Sequence, residues 1–88
     1  MLLNNNAERK AWWDYMHQAY TQPEIDVAMT ELKPDTQTVI RLHYGHNLPF
    51  KDIARQMHRS LTMIRHHQCR GIFLLYQHFN KSIKNNAY

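Results

Sequence analysis

Between Lys51 and Arg70 the chain places five cations, Lys51, Arg55, Arg59, Arg65 and Arg70, against a single carboxylate, Asp52. Ser60, Thr62, Met63, His66 and His67 are interleaved with them. These side chains suit the reading of a nucleic acid. An arginine can bond two acceptors on guanine or clamp a phosphate, threonine and methionine can pack on a thymine methyl, and neutral histidine can donate or accept a hydrogen bond. The spacing predicts Thr62, Met63, Arg65 and His66 at base edges, with Lys51, Arg55, Arg59, Ser60 and Arg70 at phosphates. Free backbone N–H groups at a helix start offer a further phosphate contact. The plainer alternative is a solvated basic surface without a ligand.

Other chemistries find less support. His66 and His67 are adjacent, and neighbours on a helix diverge, whereas ligands converge at spacings of three or four. His43 and His46 have usable spacing, but Gly45 between them reads as a helix end. His66 lies three residues before Cys69, the only cysteine. That spacing can place the two side by side, but Cys69 is expected to behave as a small buried apolar residue. There is no glycine-rich phosphate loop and no HExxH pattern, and the seven carboxylates are scattered. The sequence therefore predicts no enzyme, no metal and no cofactor.

Positioning the cationic cluster requires helices. Pro49 can open one, with Phe50, Ile53, Ala54 and Met57 inward and Lys51, Arg55 and Gln56 outward. His58-Arg59-Ser60 breaks the pattern, and Ser60 is a candidate N-cap. A long helix follows over 61–79, with Leu61, Ile64, Ile72, Leu75 and Phe79 as its apolar line. Two helices joined by about three residues have helix-turn-helix geometry, in which the first helix braces and the start of the second can enter the major groove. Ala54 supplies the small residue where the two backbones approach, and Ile64 the branched one facing it.

Upstream, Ala7 to Gln22 fits a helix with Trp12, Tyr15, Met16 and Ala19 at helical spacing and Trp13 and Tyr20 beside them. Because adjacent tryptophans diverge, one of them can meet a second protein, so Trp12, Trp13 and Tyr20 are candidates for a protein interface; a partly exposed edge of the core is the alternative. A second helix over 23–32 turns Ile25, Ala28, Met29 and Leu32 inward. A third, over 35–44, carries Val39, Ile40, Leu42 and His43, with Gly45 as its stop. The reading is an all-α fold: a small helical bundle with a helix-turn-helix and an added N-terminal helix. Its expected units are 1–22 (lead-in and aromatic helix), 23–80 (the reading domain) and 81–88 (a flexible tail).

Composition agrees with that reading. A chain of 88 residues, 43% of them apolar, allows one domain. The formal charge of +4 is unevenly arranged. The first 50 residues carry four Lys/Arg against six Asp/Glu, while residues 51–84 carry seven against Asp52 alone. A field of this kind favours a polyanion. No apolar run is long enough to cross a membrane, no secretion signal is evident, and the single cysteine suits a reducing interior, so a cytoplasmic setting is expected.

The motifs also resemble a known family. Leu32-Lys33-Pro34 sits at a turn, followed by the stripe Val39, Ile40, Leu42, Tyr44, Gly45. Then come Phe50-Lys51-Asp52-Ile53-Ala54, Ser60, Met63-Ile64-Arg65 and Arg70. This order resembles the C-terminal DNA-binding domain of bacterial sigma factors, the part that reads the minus-35 promoter element. The resemblance covers about Ile25 to Leu75. Three positions depart from the family pattern: His58 replaces a turn glycine, Gln68 stands where an apolar residue is usual, and Gly71 where alanine is usual. The resemblance implies a stand-alone, sigma-like DNA reader for transcription regulation, with double-stranded DNA as partner, RNA polymerase as a second contact and a homodimer left open. The alternatives are an adaptor that binds polymerase or a sigma or anti-sigma partner without reading DNA, and a DNA-binding accessory protein of a phage or mobile element.

Overall fold

Caps set where the helices begin. In the computed structural model, which describes residues 3–86 and their side chains through residue 80, Asn5 accepts the Glu8 backbone N–H at 2.9 Å and opens α1 (Asn6–Ala19). Thr21 and Glu24 form a capping box at the head of α2 (Gln22–Met29). The Thr21 hydroxyl accepts from the Glu24 N–H, and the Glu24 carboxylate accepts from the Thr21 N–H at 3.0 Å. These reciprocal bonds satisfy two donors that a helix start leaves free. Pro34 stands at the head of α3 (Pro34–Ile40), where its missing N–H costs nothing. The remaining helices are α4 (Phe50–Met57) and α5 (Leu61–Asn86). No strand occurs among the described residues, and the expected all-α bundle is what forms.

The end of α3 departs from expectation. The chain continues as a π-helical turn, Arg41–Gly45, in which the His46 N–H reaches back five residues to the Arg41 carbonyl at 3.1 Å. The Leu48 N–H then closes on the Leu42 carbonyl at 3.0 Å. The helical turn ends at Gly45, the expected stop, and the left-handed residue follows at Asn47, with φ 60°. Asparagine tolerates this region because its short polar side chain can bond locally. The wide turn leaves the Tyr44 carbonyl without an α-helical partner of the usual kind, and the Lys10 ammonium of α1 donates to it at 3.1 Å.

Two apolar clusters form the interior. The larger joins α1, α2 and the second half of α5 through Trp12, Trp13, Met16, Ile25, Ala28, Met29, Leu32, Ile72, Leu75 and Phe79, with Ile40 and Tyr44 entering from the side. The smaller consists of Val39, Ile53, Ala54 and Ile64, flanked by Leu42, Leu48, Phe50 and Met57. The helix of the expected 1–22 unit thus shares its core with α5.

Both tryptophans are buried in this core, which agrees with the core reading of the pair and leaves neither open to a partner. Trp12 is 4% and Trp13 9% exposed. They diverge, as neighbours on a helix must, but α1 lies in a cleft with protein on both sides. Trp12 meets Tyr76 and Phe79 of α5, at ring separations of 5.7 and 6.4 Å, while Trp13 stacks on Tyr44 at 5.7 Å. Tyr20 stacks on Phe79 at 4.0 Å and is half-buried. Tyr15, Ala19 and Leu61, assigned to apolar faces by their spacing, are exposed instead.

Helix α5 also outruns its expected end at Phe79, continuing through Asn86. The side chains of the expected tail, 81–88, lie outside the described residues. Gly71 explains how α3 and α5 come so close. A Cβ there would lie 2.7 and 2.8 Å from Ile40 Cγ1 and Cδ1 and 2.9 Å from Thr36 Cγ2. Only glycine leaves room for the crossing at this separation.

Candidate nucleic-acid interface

Helices α4 and α5 and the turn between them form the expected helix-turn-helix. Ile53 and Ala54 of α4 are buried against Ile64 of α5, with Val39 of α3 behind them. Ile64 is the residue of the first two turns of α5 that sits in this small core, so it sets which side of α5 turns outward. Phe50 is held by a stack on the His43 ring at 3.9 Å. In the turn, His58 takes the left-handed conformation, φ 56° and ψ 44°. It does so at the place where the family resemblance implies glycine, and the Arg59 N–H then bonds the Ala54 carbonyl at 3.0 Å. This is the geometry of a Schellman-type helix end. Ser60 follows as the N-cap of α5, its Oγ accepting the Met63 N–H at 3.1 Å. The hydroxyl proton of Ser60 stays free to donate elsewhere.

The side chains expected to read bases are all outward. Thr62, Met63, Arg65 and His66 are exposed, Met63 by 45%. Arg70 is exposed on the same helix, and Lys51 and Arg55 are exposed on α4. Arg59 is exposed too, but its guanidinium contacts Asp35 of α3 at 3.4 Å. Cys69 shares the outer side of α5 with His66 and is exposed, which corrects the expectation that it is buried. His66 and His67 part company: His66 stays in solvent, while His67 Nδ1 lies 3.0 Å from the Thr36 hydroxyl.

Behind this face lies a buried polar chain that sequence reasoning missed. Gln68 is 1% exposed. Its Oε1 accepts from Arg9 Nε at 3.1 Å and from the Tyr44 hydroxyl at 2.7 Å. The Tyr44 hydroxyl also lies 2.8 Å from Asn6 Oδ1, and Asn6 Nδ2 lies 3.0 Å from His43 Nε2. His43 Nδ1 is 2.8 Å from the Leu48 carbonyl. A carbonyl only accepts, so Nδ1 carries the proton and the neutral ring accepts from Asn6 at Nε2. Burial pushes the His43 pKa below its ordinary value, and Lys10 and Arg9 press in the same direction against the favourable Leu48 bond. Burial likewise pushes Tyr44 up to about 12, so its hydroxyl remains a donor. The one sequence sign of this chain was a glutamine in an apolar position. Its partner, Arg9, lies 59 residues away.

The arrangement presents a braced helix whose first three turns carry cations and hydrogen-bonding groups to solvent, with no carboxylate among residues 53–80. No curated protein and no solved structure matches the chain. A family model described as sigma-70, region 4, matches residues 22–72, which run from the first residue of α2 into α5 and take in α4, the turn and the first half of the second helix of the helix-turn-helix. That match covers more than half of the chain, and the protein accordingly belongs to the sigma-70 region 4 family of non-enzymatic, sequence-specific helix-turn-helix DNA-binding domains.

Proposed function

We propose that the protein regulates transcription by binding double-stranded DNA, with the start of α5 inserted in the major groove. Thr62, Met63, Arg65 and His66 meet base edges, and Lys51, Arg55, Arg59, Ser60 and Arg70 hold the flanking phosphates. The supporting observation is the exposed cationic ridge on a helix fixed from behind by Ile53, Ala54 and Ile64. DNA is met in the cytoplasm of a bacterial cell, and RNA polymerase is the second partner that membership in this family suggests. The reading unit is residues 23–80, and a second copy on a two-fold symmetric site would double the contacts that one small module makes.

Duplex selection from a random pool, followed by titration at several salt concentrations, tests this. Four phosphate-facing cations give a slope of log affinity against log salt of about −3.6. Lys51→Ala should reduce the slope by about 1 and weaken all duplexes alike. Arg65→Ala should cost about 1–3 kcal/mol on the selected site and relax its sequence preference. Absence of duplex binding at low salt would refute the proposal.

A further inference from the structure

The segment before residue 22 lies outside the family match, yet α1 reaches the reading helix through a buried, directional contact. Arg9 is half-buried, and its guanidinium is shared between Gln68 Oε1 at 3.1 Å and the Leu3 carbonyl at 3.2 Å. Gln68 lies one helical turn after Ile64 and within two residues of His66 and Arg70. Across from it, the single hydroxyl proton of Tyr44 lies between Gln68 Oε1 and Asn6 Oδ1, and its ring stacks on Trp13 of α1. Lys10 holds the Tyr44 carbonyl of the same π turn. Helix α1 therefore grips α5 and the end of α3 by directional hydrogen bonds, which add to the rotational constraint that Ile64 supplies by packing. Between Ile64 and the next buried apolar side chain of the helix, Ile72, α3 holds one side of α5 through Thr36, which meets His67 and Gly71, and the Gln68 contact is the fastening from α1.

We infer that Arg9 is a positioning residue for DNA reading: acting through Gln68, it sets the rotation of α5 and hence the register of Arg65, His66 and Arg70 against the bases. This role rests on the DNA reading proposed above. It makes α1 a working part of the reader, one that a bare family domain would lack.

The test uses the full chain and its variants Arg9→Ala, Arg9→Lys, Gln68→Leu and the Arg9→Ala/Gln68→Leu pair, below their melting temperatures. Two quantities are measured: hydrogen exchange of the α5 amides, and the ratio of affinities for a selected duplex and a scrambled one. Arg9→Ala should speed exchange over residues 65–70 and lower the affinity ratio about tenfold, the scale of one hydrogen bond to a charged group. A purely structural loss would weaken both duplexes alike and leave the ratio unchanged. Arg9→Lys, which keeps the charge and a donor, should recover most of the ratio. In the Gln68→Leu background, Arg9→Ala should add less than about a twofold change, because its partner is already gone. An unchanged ratio with the wild type binding the selected site overturns the positioning role alone. Full additivity of the two substitutions does the same. Failure of the wild type to bind either duplex overturns the DNA reading and this role with it.

Discussion

Replacing Gly71 by alanine sets two physical effects of known sign against each other. Helix propensity favours the change by about 1 kcal/mol, since alanine in a helix interior loses less backbone freedom on folding than glycine. Packing opposes it. The new methyl would lie 2.7–2.9 Å from three carbon atoms, two on Ile40 and one on Thr36, where ordinary contact begins near 3.5 Å. Neither neighbour has room to withdraw. Ile40 is fully buried, Thr36 is 2% exposed, and the Thr36 hydroxyl is tied to the His67 ring. Relief requires α3 and α5 to separate or Ile40 to leave its rotamer, an overpacking cost of about 1–3 kcal/mol. The balance is a net loss of about 1 kcal/mol, which for a chain of this size lowers the melting temperature by roughly 4–8 °C. Gly45→Ala is the matched control, because a Cβ there meets nothing within 4 Å and the backbone is not left-handed. It should hold or raise the melting temperature. Thermal and urea melts followed by circular dichroism measure both. If Gly71→Ala proved as stable as the wild type while Gly45→Ala behaved as expected, the inferred close crossing of α3 and α5 would be wrong.

Two further substitutions probe the turn and the polar chain. His58→Gly should stabilise the fold by several tenths to about 1 kcal/mol, because a left-handed non-glycine residue costs about 1–2 kcal/mol and glycine gives back part of that as unfolded-state freedom. A lower midpoint in a urea titration would contradict this. The His43 pKa is depressed by burial, so in the window between its folded and unfolded values the unfolded chain binds more protons. Stability from this group is full above the ordinary value of 6.5 and is lost as pH falls from there through the folded value. Melts between about pH 7.5 and about pH 5 should show this decline, and His43→Gln should shrink it. An equal pH slope in the variant would remove His43 as its source.

How much of this was legible in the residues differs from element to element. The reader announced itself locally. Pro49, Ala54, Ser60 and Ile64 sit at fixed offsets along one stretch of chain, and each offset has a backbone reason. Thr21 and Glu24 stand at the three-residue spacing of a capping box, a signal that is equally local. The failures all involve partners far apart in sequence. The spacing of Trp12 and Trp13 showed that they diverge, but not that protein lies on both sides of α1. Gln68 and Gly71 looked like blemishes in an apolar helix until Arg9 and Ile40 were found opposite them. The π turn left no local mark in the sequence, and the Tyr44 carbonyl that it leaves open meets Lys10, 34 residues away. The helical turn stops at Gly45, as its sequence suggests, but the left-handed residue falls at Asn47.

The length of α5 separates two tasks along one rod. At about 1.5 Å per residue, Phe79 stands about 25 Å along the axis from Thr62. In the DNA-bound arrangement proposed above, the duplex meets one end, while the larger core that α1 and α2 build around Ile72, Leu75 and Phe79 lies beyond its reach. Substitutions in that core therefore act on nucleic-acid affinity through the folded population and not through contact.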